Sequence, residues 1–182
     1  MKQQLVQKTK APAKESKVNV MRSIYIEKVV LSAGATGDNL VKSKKLLELI
    51  SGNKAQIIES RKRIPDFGVR PGLEVGTRVT LREKAAIDLL KRLLGAIDNK
   101  LKSKQVSSNH FSFGIEEYIE IPGMEYQREI GIRGLNATVV FARAGFRIRS
   151  KKIKSGSLPK KQQIAKEEII NYMQEVFKTS FS

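Results

Sequence analysis

The residues best placed to do chemistry are cations gathered in two stretches. Between Arg61 and Gly72 the chain reads RKRIPDFGVRPG, which sets Arg61, Lys62, Arg63 and Arg70 around Pro65, Phe67, Gly68 and Pro71. Guanidinium forks donate paired hydrogen bonds to phosphate or carboxylate oxygens, so a loop of this make-up is suited to touching an anion. The same residues also fit a solvated turn whose charges keep a sheet edge soluble. Further on, Arg143, Arg147, Arg149, Lys151, Lys152, Lys154, Lys160 and Lys161 follow one another with no acidic residue between them. Such a run can lie along phosphates as an extended arm; as a solvated linker it would be expected to carry some compensating carboxylate.

Catalytic groups are sparse. His110 is the only histidine. A Ser-His-Asp arrangement can therefore be built around it alone, and no nucleophile elbow accompanies it. Glu116, Glu117 and Glu120 have the look of paired carboxylates. Strand alternation accounts for two of them as a solvated face, and no second polar cluster answers them. The GATGD turn, Gly34 to Asp38, precedes a helix and resembles a phosphate seat, but no Lys-Ser/Thr follows it, and a packing turn explains it as well. No spacing of Asp and Glu forms a metal cage, so no metal or cofactor is expected.

The elements that position the cations follow from periodicity. IYIEKVVLSA, residues 24–33, predicts a strand whose apolar Val29 to Leu31 place it centrally in a sheet. Asp38 then suits the cap of a helix running through Leu40, Val41, Leu47 and Ile50 to Gly52. AQIIE (55–59) and residues 73–81 predict a long hairpin with the cationic loop at its tip, Val75, Thr77, Val79 and Leu81 sharing one face. Thr80 and Glu83 match a capping box for a helix carrying Ala86, Ile87, Leu90, Leu93, Leu94 and Ile97. Residues 99–109 read as a loop, 111–121 as a half-buried strand, and 135–142 as another strand. An amphipathic helix over about 166–177 should bury Ile169, Ile170, Met173, Val176 and Phe177.

Composition narrows the partner. The chain has 182 residues with 35 Lys and Arg against 18 Asp and Glu, a formal charge of +17. That excess repels itself unless a polyanion lies beside it, and nucleic acid fits better than a membrane because no basic face carries bulky anchors. There is no cysteine, hence no disulfide or thiolate zinc site. Residues 1–20 read as a basic flexible tail and 21–182 as one domain. With 6% aromatic residues and no paired exposed rings, recognition through phosphates and RNA shape is expected rather than base stacking. The other readings these features leave are a small nucleotide-binding enzyme built on the GATGD turn and a general nucleic-acid-compacting protein.

Asn19 to Arg22, then IEKVVLSAGATGD, ISGNKA, RKRIPDFGVRPG, VGTRVTLREKA and NHFSFGIEEYIEIPGMEYQREIGIRGL resemble, in order, the universal large-subunit ribosomal protein five family in its archaeal and eukaryotic form. The resemblance spans roughly residues 19–178. It implies an α+β fold, a mainly antiparallel sheet backed by helices, with a long basic hairpin loop and a basic arm. It implies no catalysis, and a cytoplasmic protein of the large ribosomal subunit that anchors 5S rRNA in the central protuberance.

By motif, the family's three-residue 5S module corresponds to Ser32, Asn53 and Thr80, where the family more often has Asn and Gln at the first two. The 5S rRNA-binding set is accordingly Arg22, Ser32, Asn53, Lys54, Arg78 and Thr80. The resemblance assigns the hairpin tip, with Arg61, Lys62, Arg63, Phe67, Gly68 and Arg70, to the elbow of the P-site tRNA. It assigns the arm, Arg143 to Lys161, to large-subunit rRNA, and implies a small-subunit head protein as a neighbour across the subunit interface. The family usually carries Gly after TLR, where this chain has Glu83.

Overall fold

The structure, a computed structural model, describes residues 19–182. The basic tail expected over 1–20 lies, as far as residue 18, outside the described residues.

The β-branched run from Ile24 to Gly34 forms β1, and it is central as its apolar middle requires. On one side it pairs antiparallel with β3 (Glu74–Arg82), on the other with β7 (Leu135–Arg143). With β2 (Gln56–Glu59), β5 (Val106–Ser107) and β6 (His110–Ile115), these make a six-stranded sheet ordered β2-β3-β1-β7-β6-β5, antiparallel at every pairing. Two short segments, β4 (Lys100–Leu101) and β8 (Ser180–Phe181), pair in parallel beside it. The fold is α+β, as expected.

Period-two alternation dictates the sheet's two sides. Val29, Leu31, Val79, Leu81, Ala137, Val139, Phe111 and Phe113 are all buried on one of them. Against that side pack α1 (Asp38–Ser51), α2 (Glu83–Ala96) and α4 (Lys166–Phe177), while α3 (Arg147–Ser150) is a single exposed turn in the arm. Phe111, Phe113 and Phe141 stack at centroid distances of 5.8 Å, and Tyr172 of α4 meets Phe141 edge-on at 5.7 Å. These geometries favour aromatic pairs and tie α4 to the sheet.

Several local expectations give way to tertiary pairing. The capping box at Thr80 does not form. Thr80 stays in β3, opposite Val30 of β1, and α2 begins at Glu83 with Arg82 at its extended N-cap. Glu83 itself takes φ +56°, a left-handed backbone in which glycine is easiest. Asp38 is likewise the first helical residue of α1 rather than its cap, a place taken by Gly37, although Gly52 ends the helix left-handed as expected.

The strand expected over 111–121 stops at Ile115. A 3-10 turn over Tyr118–Glu120 then buries Tyr118 and exposes Ile119, reversing the alternation. The chain bends there because Gly134 passes so near that a Cβ would lie 2.7 Å from the Glu116 carbonyl oxygen, and the Tyr118 N–H donates to Arg133 O at 3.1 Å. The expected loop 99–109 orders itself through β4, β5 and the buried Leu101 and Val106. In α2, Leu89 rather than the exposed Ile87 joins the core, and in α4 Val176 is exposed while Tyr172 packs inward.

Candidate nucleic-acid interface

With all three longer helices on one side, the outer side of the sheet carries no helix among the described residues. Its register lines up hydrogen-bonding side chains on four strands and ends at a glycine on the fifth: Gln56 opposite Arg78, Arg78 opposite Ser32, Ser32 opposite Asn136, and Asn136 opposite Gly114. Strands about 4.8 Å apart make this row span roughly 19 Å. The next row runs Thr80, Val30, Thr138, Ser112, and the one after it Arg82, Lys28, Val140, His110. Arg78 is steadied by its neighbour, its Nε donating to Gln56 Oε1 at 3.2 Å. The surface thus offers hydroxyls, amides and guanidinium groups on a flat, fixed frame, which suits hydrogen bonding to phosphate and sugar oxygens.

Of the residues singled out from sequence, Ser32, Arg78 and Thr80 come together on this face. Asn53 and Lys54 do not share the row; they sit exposed in the turn between α1 and β2, where the Asn53 N–H donates to Ser51 Oγ at 3.2 Å. Arg22 belongs elsewhere, in a 3-10 turn before β1, lining a cleft with Arg143, Lys160 and Lys161. Gln56, Asn136, Thr138 and Ser112 are members of the face that the sequence reading passed over. The signal for the last three was present as the polar positions of the alternating segments LNATVVFA and FSF.

The hairpin tip is a folded finger rather than a loose loop. Ile64 and Val69 exchange both backbone hydrogen bonds, at 2.9 and 3.0 Å, and the 3-10 turn Pro65–Phe67 closes on Gly68. Gly68 holds φ +63°, and its N–H donates to Pro65 O at 2.9 Å. Phe67, 79% exposed, projects at the end, with Arg61, Lys62, Arg63 and Arg70 exposed around it. Among the described residues none of these four has an ion-pair partner.

The arm leaves the sheet at the end of β7 and returns at the buried Ile164. Its root is clamped by Asn109, whose N–H donates to Ile164 O at 3.3 Å and whose Oδ1 accepts from the Ile164 N–H at 2.8 Å. Arg147, Arg149, Lys151, Lys152, Lys154, Lys160 and Lys161 are exposed and have no ion-pair partner among the described residues. Arg143 is the exception. Only 9% exposed, it donates through Nη2 to both carboxylate oxygens of Glu168 at 2.7 Å, and through Nη1 to Lys161 O at 3.4 Å, while its Nε has no partner among the described residues. Its charge is neutralised inside the fold, so it is a strut between β7 and α4 rather than one of the arm's free cations.

Candidate reactive groups are not brought together among the described residues. His110 is exposed at the end of β6 with Nδ1 3.1 Å from Ser108 O, and Glu116 and Glu117 lie in the exposed bend after it. The GATGD turn is tied into the fold through its backbone: the Ala35 N–H donates to Val75 O, and Gly37 O accepts from the Leu40 N–H. No group of three potential metal ligands occurs among the described residues, and no helix there is long and apolar enough to cross a membrane.

A sheet with one polar side, a cationic finger and a cationic strap make up a scaffold whose exposed groups suit a polyanion. The chain belongs to the ribosomal protein L5 family, whose members are structural, non-enzymatic ribosomal proteins: a family model described as Ribosomal protein L5 matches residues 19–70, and one described as the ribosomal L5P family C-terminus matches residues 74–172. It is similar to the large ribosomal subunit protein uL5 of Sulfolobus acidocaldarius, 38% identical over 88% of this chain and 92% of that protein. The uL5 proteins of Nanoarchaeum equitans and Picrophilus torridus are 41% and 40% identical, covering 85% and 90% of this chain and 94% and 95% of their own.

Proposed function

We propose that the chain is a constituent of the cytoplasmic large ribosomal subunit, where the helix-free face of its sheet binds 5S rRNA in the central protuberance. The observation that carries this reading is the row Gln56–Arg78–Ser32–Asn136 on a sheet side that no helix covers. Family membership and the relatives' names support the ribosomal setting, and the row supports which surface meets RNA. The arm follows large-subunit rRNA through its exposed cations. The tip, with Phe67 and the four cations around it, touches the P-site tRNA, and a small-subunit head protein is the neighbour across the subunit interface.

Binding of a 5S rRNA transcript, measured at several salt concentrations, tests the assignment. Arg78→Ala removes a charged donor and should weaken binding about tenfold, as loss of roughly 1.5 kcal/mol or more implies. Ser32→Ala and Thr80→Ala should each weaken it by a smaller factor. A triple substitution of Arg63, Phe67 and Arg70 to Ala should leave 5S rRNA binding nearly intact while impairing retention of tRNA by assembled ribosomes. Equal binding of 5S rRNA and a random duplex would instead favour a general nucleic-acid-compacting role.

A further inference from the structure

Between the arm and the end of β7 lies a cleft of about 560 Å³, within the range of roughly 300–1,000 Å³ that ligand sites occupy. Its apolar floor is offered by the half-buried Phe146 and Leu158, with the fully buried Phe141 and Ile164 also in its lining. Its rim is polar: Ser155, Ser157, Gln162 and Gln163 line it, and none of their side chains has a hydrogen-bond partner among the described residues. Among the described residues, the exposed Arg149 is the one uncompensated cation in the lining, since Arg143 is already paired with Glu168.

We propose that this cleft holds one unstacked nucleotide of single-stranded RNA, its base against the apolar floor, its edge met by the rim hydroxyls and amides, and its phosphate by Arg149. The inference rests on the reading of the arm as an RNA-following element, and it adds a position at which that RNA is unpaired. Extruded bases are held in this manner, by an apolar or aromatic surface together with hydrogen bonds to the base edge. A single free cation matches one phosphodiester, whereas a nucleoside di- or triphosphate would face too little positive charge.

The cleft is also built in advance. Asn109 fastens its Ile164 side to the β5–β6 turn, the Arg143–Glu168 pair fixes its base, and the Gly156 N–H donates to Ile148 O at 3.2 Å across the arm. A site whose walls are already tied loses little conformational freedom on binding.

The test uses the full chain, isotope-labelled for NMR, titrated to millimolar concentrations with AMP, GMP, CMP and UMP, and separately with ribose 5-phosphate. At least one nucleotide should shift the amides of Ser155–Ser157 and Gln162–Ile164, with ribose 5-phosphate much weaker. Equal shifts with ribose 5-phosphate would reduce the cleft to a phosphate contact and overturn the proposal, as would no shift at all. Ser157→Ala with Gln163→Ala should weaken binding of a 12-nucleotide single strand at least threefold, leave a 12-base-pair duplex unaffected, and leave the melting temperature unchanged. Equal losses on strand and duplex would also overturn it. Lys151, Lys152 and Lys154 replaced by Ala should flatten the salt dependence for both RNAs, by about 0.7–0.9 of a slope unit per lost phosphate contact. An unchanged slope would sink the arm reading itself, independently of what the mononucleotides show.

Discussion

Replacing Glu168 with Ala should destabilise the protein far more than replacing Arg143 with Met, although each removes half of one ion pair. Arg143 is 9% exposed and Glu168 side-chain exposure is 44%. Without Glu168, a guanidinium stays buried with a single long bond to Lys161 O and an unpartnered Nε. Stranding a buried charge costs about 3–5 kcal/mol, and the low end applies here because the partner is half in water. Glu168 also accepts from the Ala165 N–H at 3.0 Å at the start of α4, a cap worth about 1 kcal/mol, so the total approaches about 4 kcal/mol. Arg143→Met keeps most of the buried volume and frees a carboxylate that can turn to solvent, at a cost of about 0–1.5 kcal/mol. The double variant, with no stranded charge, should lose only about 1–2.5 kcal/mol, so the second substitution rescues the first. Urea unfolding with unchanged m would measure this, each kcal/mol moving the melting temperature by roughly 2–4 °C. If Arg143→Met proved the worse single change, or the double failed to recover, the strut would be misread. The salt dependence of RNA binding should be untouched by Arg143→Met.

Glu83→Gly should stabilise by about 0.5–1 kcal/mol in thermal unfolding, because φ +56° suits glycine, and a loss would show that the Glu83 side chain contributes more than its backbone costs. Gly134→Ala should destabilise by about 1–3 kcal/mol, since the added Cβ would lie 2.7–2.8 Å from two backbone oxygens that cannot swing away; a neutral result would mean the bend after Ile115 is soft. Burial holds the Tyr172 phenol above its ordinary value, so the native state favours the neutral ring. Its contribution is full below the ordinary phenol range near pH 10 and is lost as pH climbs through the raised native value. Tyr172→Phe should therefore hold its stability in alkali better than the wild type, and parallel curves would refute the assignment.

A β-branched run with an apolar middle made β1 legible from sequence, and alternation made β3 so; Ser32, Arg78 and Thr80 lie on these two strands. What escaped depends on partners remote in the chain. Thr80 and Glu83 fit a capping box by local spacing, yet Val30, fifty residues earlier, keeps Thr80 in the sheet. Residues 116–121 alternate like the strand before them, but Gly134 and Arg133 bend the chain away. The run from Arg143 to Lys161 looks uniformly cationic because its one compensating carboxylate, Glu168, lies beyond it. The cleft beneath the arm was invisible, since its floor and rim are joined only when Asn109 clasps Ile164.

A bulge sets where β1 tolerates shortening. Ile26 stands opposite Phe141 and Lys28 opposite Val140, so Glu27 occupies no rung of its own against β7. Removing Glu27 would join adjacent rungs and leave Ile24, Ile26, Val29 and Leu31 all pointing inward, at the cost of its contact with Arg82, 3.5 Å away. Removing Val30 instead would turn one end of the strand inside out, trading apolar side chains for the polar ones meant for RNA. Single-residue deletions along this strand should thus be survivable at Glu27 and ruinous a few positions on.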